Sequence, residues 1–289
     1  MQPLQLAVLG NPISHSKSPL IHRAAYRELG LDWRYRAIRC GEAPLAAFLA
    51  GRGPEWRGFS LTMPLKDEAF RLATTLDPIA QLSGVVNTLH RLPEGGWAGY
   101  NTDVAGLAAA IQNAGLDATR TLVLGAGATA VSAVLAARSL GAERVEVVAR
   151  RADALTELVA RFVGVTRAAG PELLPVAGTP LAHAAEGLRL LSDMGQAPTL
   201  IISTLPGPAG AQIELPAQLL GTPLFDVAYD PWPSPLAERW RAEGTPAHSG
   251  IDMLVEQALM QVRIFTAGDP EAPLPSEARV LEAMRAAAA

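Results

Sequence analysis

Cysteine is nearly absent from this chain: Cys40 stands alone, so no intrachain disulfide can form. Runs of like charge are missing too. The 24 basic and 28 acidic residues leave a net charge of −4, and no like-charged stretch exceeds the two arginines of ARR at Ala149 to Arg151. Nucleic acid is therefore not an expected partner. No apolar stretch is long enough to span a bilayer, because Arg, Glu or Pro interrupts each one within about fifteen residues, so no membrane partner is expected either. The opening MQPLQLAVLG lacks the charged region and cleavage site of a secretory signal, which makes the cytoplasm the expected location. The five histidines, His15, His22, His90, His183 and His248, show neither an HExxH spacing nor a Cys/His pairing. No metal site is expected.

What is present is apolar sequence in quantity, 49% of 289 residues, enough for one large core or two modest ones. Apolar runs alternate with helical patterns: LQLAVLG, a helix from Pro19, YRAIRC, a helix in APLAAFLAG, FSLTM, and a helix from Leu65. That alternation predicts an α/β fold with mainly parallel sheet. It breaks at GVVNTLHRLPEGGWAGYNTD, where two short extended runs flank PEGG, a hairpin signal. A second block of strand–helix units follows, with strands in TRTLVLG, RVEVVA, TLIIS and PLFDVAYD, and the chain closes with helices in GIDMLVEQALMQVRIFTAG and PSEARVLEAMRAAA. The expected division is residues 1–103 with 251–289 as one domain and 104–250 as a Rossmann-type dinucleotide-binding domain.

Behind the first strand, NPISHSKSP packs three serines between Asn11 and Pro19. Ser18 followed by Pro19 reads as an N-cap with proline at the first helical position. Ser14 and Ser16 are not explained that way, and they lie near the carboxyl end of a strand, where open α/β sheets bind ligands. Hydroxyls both donate and accept, so the segment is either a loop or a grip for a polyhydroxylated ligand.

VLGAGATA sets Gly125, Gly127 and Ala130 in a GxGxx[GA] pattern between a strand and a helix. The first glycine permits the tight turn, the second lets backbone approach a pyrophosphate, and the small third residue lets helix and strand pack closely. With Ala126, Ala128 and Thr129 they form a helix N-terminus whose N–H groups suit phosphate. The next strand ends in Arg150 and Arg151 rather than the acid that binds an NAD ribose. Guanidinium groups there suit a 2′-phosphate, so the expected cofactor is NADP.

Lys66 opens a helix in SLTMPLKDEAF, where a cation opposes the helix dipole. Asp103 follows in GYNTDVAG, just before the expected domain boundary. A lysine beside a carboxylate can protonate a carbonyl oxygen as it becomes an alkoxide, and it can equally be an ordinary ion pair.

Taken together and in order, GNPISHSKSPLIH, SLTMPLKDEAF, GVVNTL, GYNTDVAG, GAGATA, DVAYDPWPSPL and GIDMLVEQA resemble the shikimate dehydrogenases over nearly the whole chain. The resemblance implies an N-terminal substrate domain, a Rossmann domain, and NADPH-dependent reduction of 3-dehydroshikimate to shikimate in aromatic amino-acid biosynthesis. It implies that Ser16 and Ser18 bind the substrate carboxylate, that Thr62, Asn87 and Gln257 bind ring hydroxyls, that Tyr229 lies near the carboxylate, and that Lys66 and Asp103 are the catalytic pair. Thr204, Val227 and Gly250 complete the expected cofactor-binding set. His15 and Lys17 read as solvated flanks, Lys17 adding long-range charge for an acidic substrate. The chain departs from the commonest pattern at Ser60 (often Asn), Val104 (Gly), Ala130 (Gly or Ser), and Ala149 and Arg151 around the matched Arg150. Alternatives are a dual quinate/shikimate dehydrogenase and a non-catalytic NADP-binding regulator, and the expected assembly is a monomer or homodimer.

Overall fold

Strand β1 (Gln5–Gly10) is buried along almost its whole length, as a strand covered on both faces must be, whereas β2 (Arg34–Arg39) alternates arginines outward and buries Tyr35. The burial difference places β1 inside its sheet and β2 at the edge. With β3 (Trp56–Leu61), β4 (Thr75–Leu76), β5 (Thr88–Arg91) and β6 (Trp97–Tyr100), the first sheet runs β2-β1-β3-β5-β6-β4. Three pairings are parallel and two, those made by β5, are antiparallel. The hairpin read from PEGG joins β5 to β6, with Gly95 and Gly96 at φ 99° and 82°, values that exclude most other residues. The computed structural model describes residues 3–168, 172–180, 196–211 and 213–289.

The chain divides into two compact units, residues 1–106 with 254–289 and residues 107–253. In the first, Phe59 anchors the core between Trp56 and Trp97, with ring centroids 5.0 and 5.2 Å away. The Glu277–Ala288 helix packs on the Ser18–Glu28 helix. Lys17, expected as a solvated flank, instead donates from Nζ to the Ala288 carbonyl at 2.7 Å. A cation at a helix carboxyl end satisfies an orphan carbonyl and complements the dipole, which explains the difference.

The second unit is an all-parallel sheet. Strands β7 (Arg120–Leu124), β8 (Arg144–Ala149), β9 (Val176–Pro180), β10 (Leu200–Ser203), β11 (Leu224–Asp226) and β12 (Ala247–Ser249) are ordered β12-β11-β10-β7-β8-β9. The chain builds outward from β7 to β9, then returns beside β7 and builds the other way. The carboxyl ends of β7 and β10 form the switch point, the ligand position of doubly wound sheets. Trp240, fully buried, closes the core beneath and donates from Nε1 to the Thr222 carbonyl at 2.7 Å. Among the described residues no helix is long and apolar enough to cross a membrane, and no cluster of His, Cys, Asp and Glu has the makings of a metal site. His183 lies outside the described residues.

Candidate active site

Because β5 runs antiparallel to β3, its amino end meets the carboxyl end of β3: the Leu61 amide donates to the Asn87 carbonyl at 2.7 Å, and the Asn87 amide to that of Tyr100 at 3.0 Å. Thr62 and Lys66 after β3, Asn87 before β5, and Asn101 to Asp103 after β6 thus share one end of the sheet. Lys66 is the first residue of the Lys66–Leu72 helix, and its Nζ donates to Asp103 Oδ2 at 2.5 Å, with side-chain exposures of only 12% and 7%. That contact offsets the helix dipole that made the position unfavourable. Asp103 in turn opens the Asp103–Asn113 helix, where an acid is well placed, and its amide donates to Asn101 Oδ1 at 3.1 Å.

Asn87 ties the pair to the sheet. Its Nδ2 donates to Asp103 Oδ1 at 2.8 Å and to Thr102 Oγ1 at 2.9 Å, while its Oδ1 accepts the Thr102 amide at 3.0 Å. An amide N–H can only donate, so the Asn87 side chain has one orientation. Gln257 lies on the Ile251–Ala267 helix, accepting from Thr102 Oγ1 at 3.4 Å and donating to the Leu254 carbonyl at 2.7 Å. Gly106 lets that helix come close: a methyl there would sit 2.6–2.8 Å from Gln257 Cβ, N and Cα. Gly106→Ala is expected to cost about 1–3 kcal/mol by overpacking and to lower kcat along with stability, measured by denaturant titration and steady-state kinetics.

The serine loop differs in detail from expectation. The helix begins at Ser18 itself, Lys17 holds the N-cap position with no side-chain capping bond, and Ser16 Oγ accepts the Ser18 amide at 3.3 Å. Ser18 therefore does not cap. Ser16 takes up that amide locally, and the hydroxyls of Ser18 and Thr62 have no hydrogen-bond partner among the described residues. His22 Nδ1 donates to the Ser18 carbonyl at 3.0 Å, and burial pushes its pKa down to about 4, so the ring is neutral.

In the second unit, Gly125 turns the chain at φ 114°, where a methyl would sit 2.5 Å from Thr204 Oγ1, and Thr204 Oγ1 donates to the Leu124 carbonyl at 2.9 Å. Gly127 occupies the N-cap of the Ala128–Ser139 helix and faces open space, and the Ala128 and Thr129 amides find no acceptor among the described residues. Ala130 is fully buried against the strand. A pocket joins Gly125, Ala126 and Gly127 to Arg150 and Arg151, both exposed and without an ion-pair partner among the described residues. Donors without acceptors beside free guanidinium groups fit a pyrophosphate and a second phosphate. Val227 and Gly250 follow β11 and β12 outside this pocket, packed so closely that a methyl on Gly250 would strike the Val227 carbonyl. Tyr229 follows in the loop held by Asp226, which accepts from the Ala228 amide at 3.2 Å and from Ser234 Oγ at 2.5 Å. Burial, with Asp230 nearby, raises the Tyr229 hydroxyl above its ordinary range. Sequence reasoning missed Leu205, Ala209 and Ile213 in the pocket wall. The switch-point rule points to Leu205, just past β10, while the other two are apolar residues with no signal of their own.

Residues 8–89 match the family model described as shikimate dehydrogenase substrate binding domain. A shikimate dehydrogenase (NADP(+)) from Citrifermentans bemidjiense is 35% identical over 276 residues, covering 91% of this chain and 90% of that protein. The crystal structure of the Mycobacterium tuberculosis shikimate dehydrogenase is similar at a TM-score of 0.82 and 39% identity, over 99% of both chains. The shikimate 5-dehydrogenase of Thermus thermophilus, solved in complex with NADP(H) and shikimate, is similar at a TM-score of 0.77 and 28% identity, over 98% of this chain and 99% of that one.

Proposed function

The chain belongs to the shikimate dehydrogenase family, and from that premise we propose that it reduces 3-dehydroshikimate to shikimate reversibly with NADPH. The observation that carries this reading is the Lys66–Asp103 contact, a shielded ammonium held by a carboxylate that Asn87 orients. In the direction of reduction, Lys66 Nζ gives its proton to the carbonyl oxygen as negative charge develops there, and Asp103 keeps the amine in place. Ser16 and Ser18 grip the substrate carboxylate, with Tyr229 near it, and Thr62, Asn87 and Gln257 bind ring hydroxyls. An analogue lacking those hydroxyls leaves the Thr62 hydroxyl, which has no partner among the described residues, unpaired and is rejected.

NADP supplies the hydride chemistry when bound. The free amides of Ala128 and Thr129 and the open face of Gly127 suit its pyrophosphate, with Gly125, Ala126 and Ala130 shaping the turn, and Arg150 and Arg151 suit its 2′-phosphate. Thr204 supports the loop, and Val227 and Gly250 contribute the ends of the neighbouring strands. Tyr229 apart, residues 1–106 with 254–289 thus serve the substrate and 107–253 the cofactor, in a cytoplasmic monomer or homodimer.

The test is oxidation of shikimate and of quinate by the purified protein, each with NADP⁺ and with NAD⁺, giving four kcat/KM values. Shikimate with NADP⁺ is expected to dominate. Comparable rates with quinate would make the enzyme a dual one, and four vanishing rates would leave an NADP-binding regulator.

A further inference from the structure

Behind Asn87 runs a line of hydrogen bonds that proton donation and substrate binding do not account for. Tyr35 Oη donates to Ser60 Oγ at 2.6 Å, and Ser60 Oγ donates to Gln261 Oε1 at 2.6 Å. Gln261 Nε2 donates to Thr88 Oγ1 at 2.9 Å, and Thr88 Oγ1 donates to Asn87 Oδ1 at 2.8 Å. Asn87 Nδ2 then donates to Asp103 Oδ1. All five residues of the line before Asp103 are buried. Each hydroxyl in the middle of the line accepts on one side and donates on the other.

The direction of the line follows from its chemistry. Gln261 Nε2 also faces the Asn87 carbonyl at 3.4 Å, an acceptor only, so the amide cannot be reversed. With Nε2 donating into Thr88 Oγ1, the hydroxyl proton of Thr88 is directed to Asn87 Oδ1. At the far end burial raises the Tyr35 phenol above its ordinary range, which keeps it a donor, and His22 stacks on its ring at 4.0 Å. Ser60, where the chain departs from the commonest family pattern, is held inside this line.

Resting on the functional reading above, we propose that Gln261 is a positioning residue for the Lys66–Asp103 pair. With Ser60 and Tyr35 behind it and Thr88 in front, it polarises and holds the Asn87 amide, which keeps the second oxygen of Asp103 facing Lys66. Bonds aligned in one direction strengthen one another, so a break anywhere in the line weakens donation to Asp103. Simple satisfaction of buried polar groups would instead register in stability alone.

The experiment compares shikimate oxidation with NADP⁺ by the full chain and by Gln261→Leu, Thr88→Val, Thr88→Ser and the Gln261→Leu/Thr88→Val double variant. Gln261→Leu and Thr88→Val are each expected to lower kcat by about 5- to 30-fold, with a smaller rise in KM for shikimate because Asn87 also helps bind the substrate. The double variant is expected to be no slower than about the worse single one, because the line is already cut. Thr88→Ser keeps the hydroxyl and is expected to stay within about threefold of the parent kcat. A parent-like kcat in Gln261→Leu and Thr88→Val, or an equal loss in Thr88→Ser, overturns the proposal. If Gln261→Leu does not fold, the contrast between Thr88→Val and Thr88→Ser decides alone. A parent protein inactive with shikimate and NADP⁺ overturns the functional reading first and this proposal with it.

Discussion

Replacing Lys66 with methionine is expected to lower kcat for shikimate oxidation by roughly three orders of magnitude while KM for shikimate stays within about threefold. Methionine keeps most of the stem that fills the space beside Asp103 but carries no proton. The loss falls on the chemical step because the ammonium acts where charge develops on the substrate oxygen, whereas carboxylate and hydroxyl binding belong to other residues. Lys66→Arg sharpens the test. A guanidinium keeps the charge and can still pair with Asp103, yet it does not give up a proton, so it is expected to be nearly as inactive as methionine. A rise in KM at unchanged kcat in either variant would remove Lys66 from the proton-donor role and leave it a binding cation. An active arginine variant would reduce the role to charge alone.

Changing Arg150 and Arg151 together to alanine is expected to lower kcat/KM for NADP⁺ by about 10²- to 10³-fold, since each charge-assisted bond to phosphate contributes about 1.5–3 kcal/mol and the two are not fully additive. With NAD⁺, which has no 2′-phosphate, the change is expected to stay within about threefold. The comparison is internal, because the same protein sample is read with both cofactors and any fold defect lowers both. Both side chains are exposed and make no ion pair with a described residue, so their removal costs little stability. A parallel loss with both cofactors would assign the arginines to the architecture of the loop rather than to the phosphate.

The amino-acid sequence by itself determined the α/β class, the long parallel strands, the PEGG hairpin and the glycine turn. These are local features: apolar periodicity, φ values that only glycine adopts readily, and a small residue where helix meets strand are all written within a dozen residues. It also marked Lys66 as anomalous through its position at a helix start. What it left open was non-local. Lys66 meets Asp103 across 37 positions, and Lys17 reaches the Ala288 carbonyl across 271. The short strands β9 and β12, with proline and glycine in one and three residues in the other, become strands because a neighbour in the parallel sheet offers them a ladder. The serine loop was legible as a hydroxyl cluster, but its helix starts at Ser18 rather than after it, because the Leu20 and Ile21 amides that a Ser18 cap would serve bond to the Lys17 carbonyl. Tyr35, Ser60 and Gln261 are buried polar residues of an edge strand, an inner strand and a helix, far apart in the chain. Only the tertiary structure decided that they form one line ending at Asp103, because a hydrogen bond's direction depends on every donor and acceptor around it, and packing brings those together from distant parts of the chain.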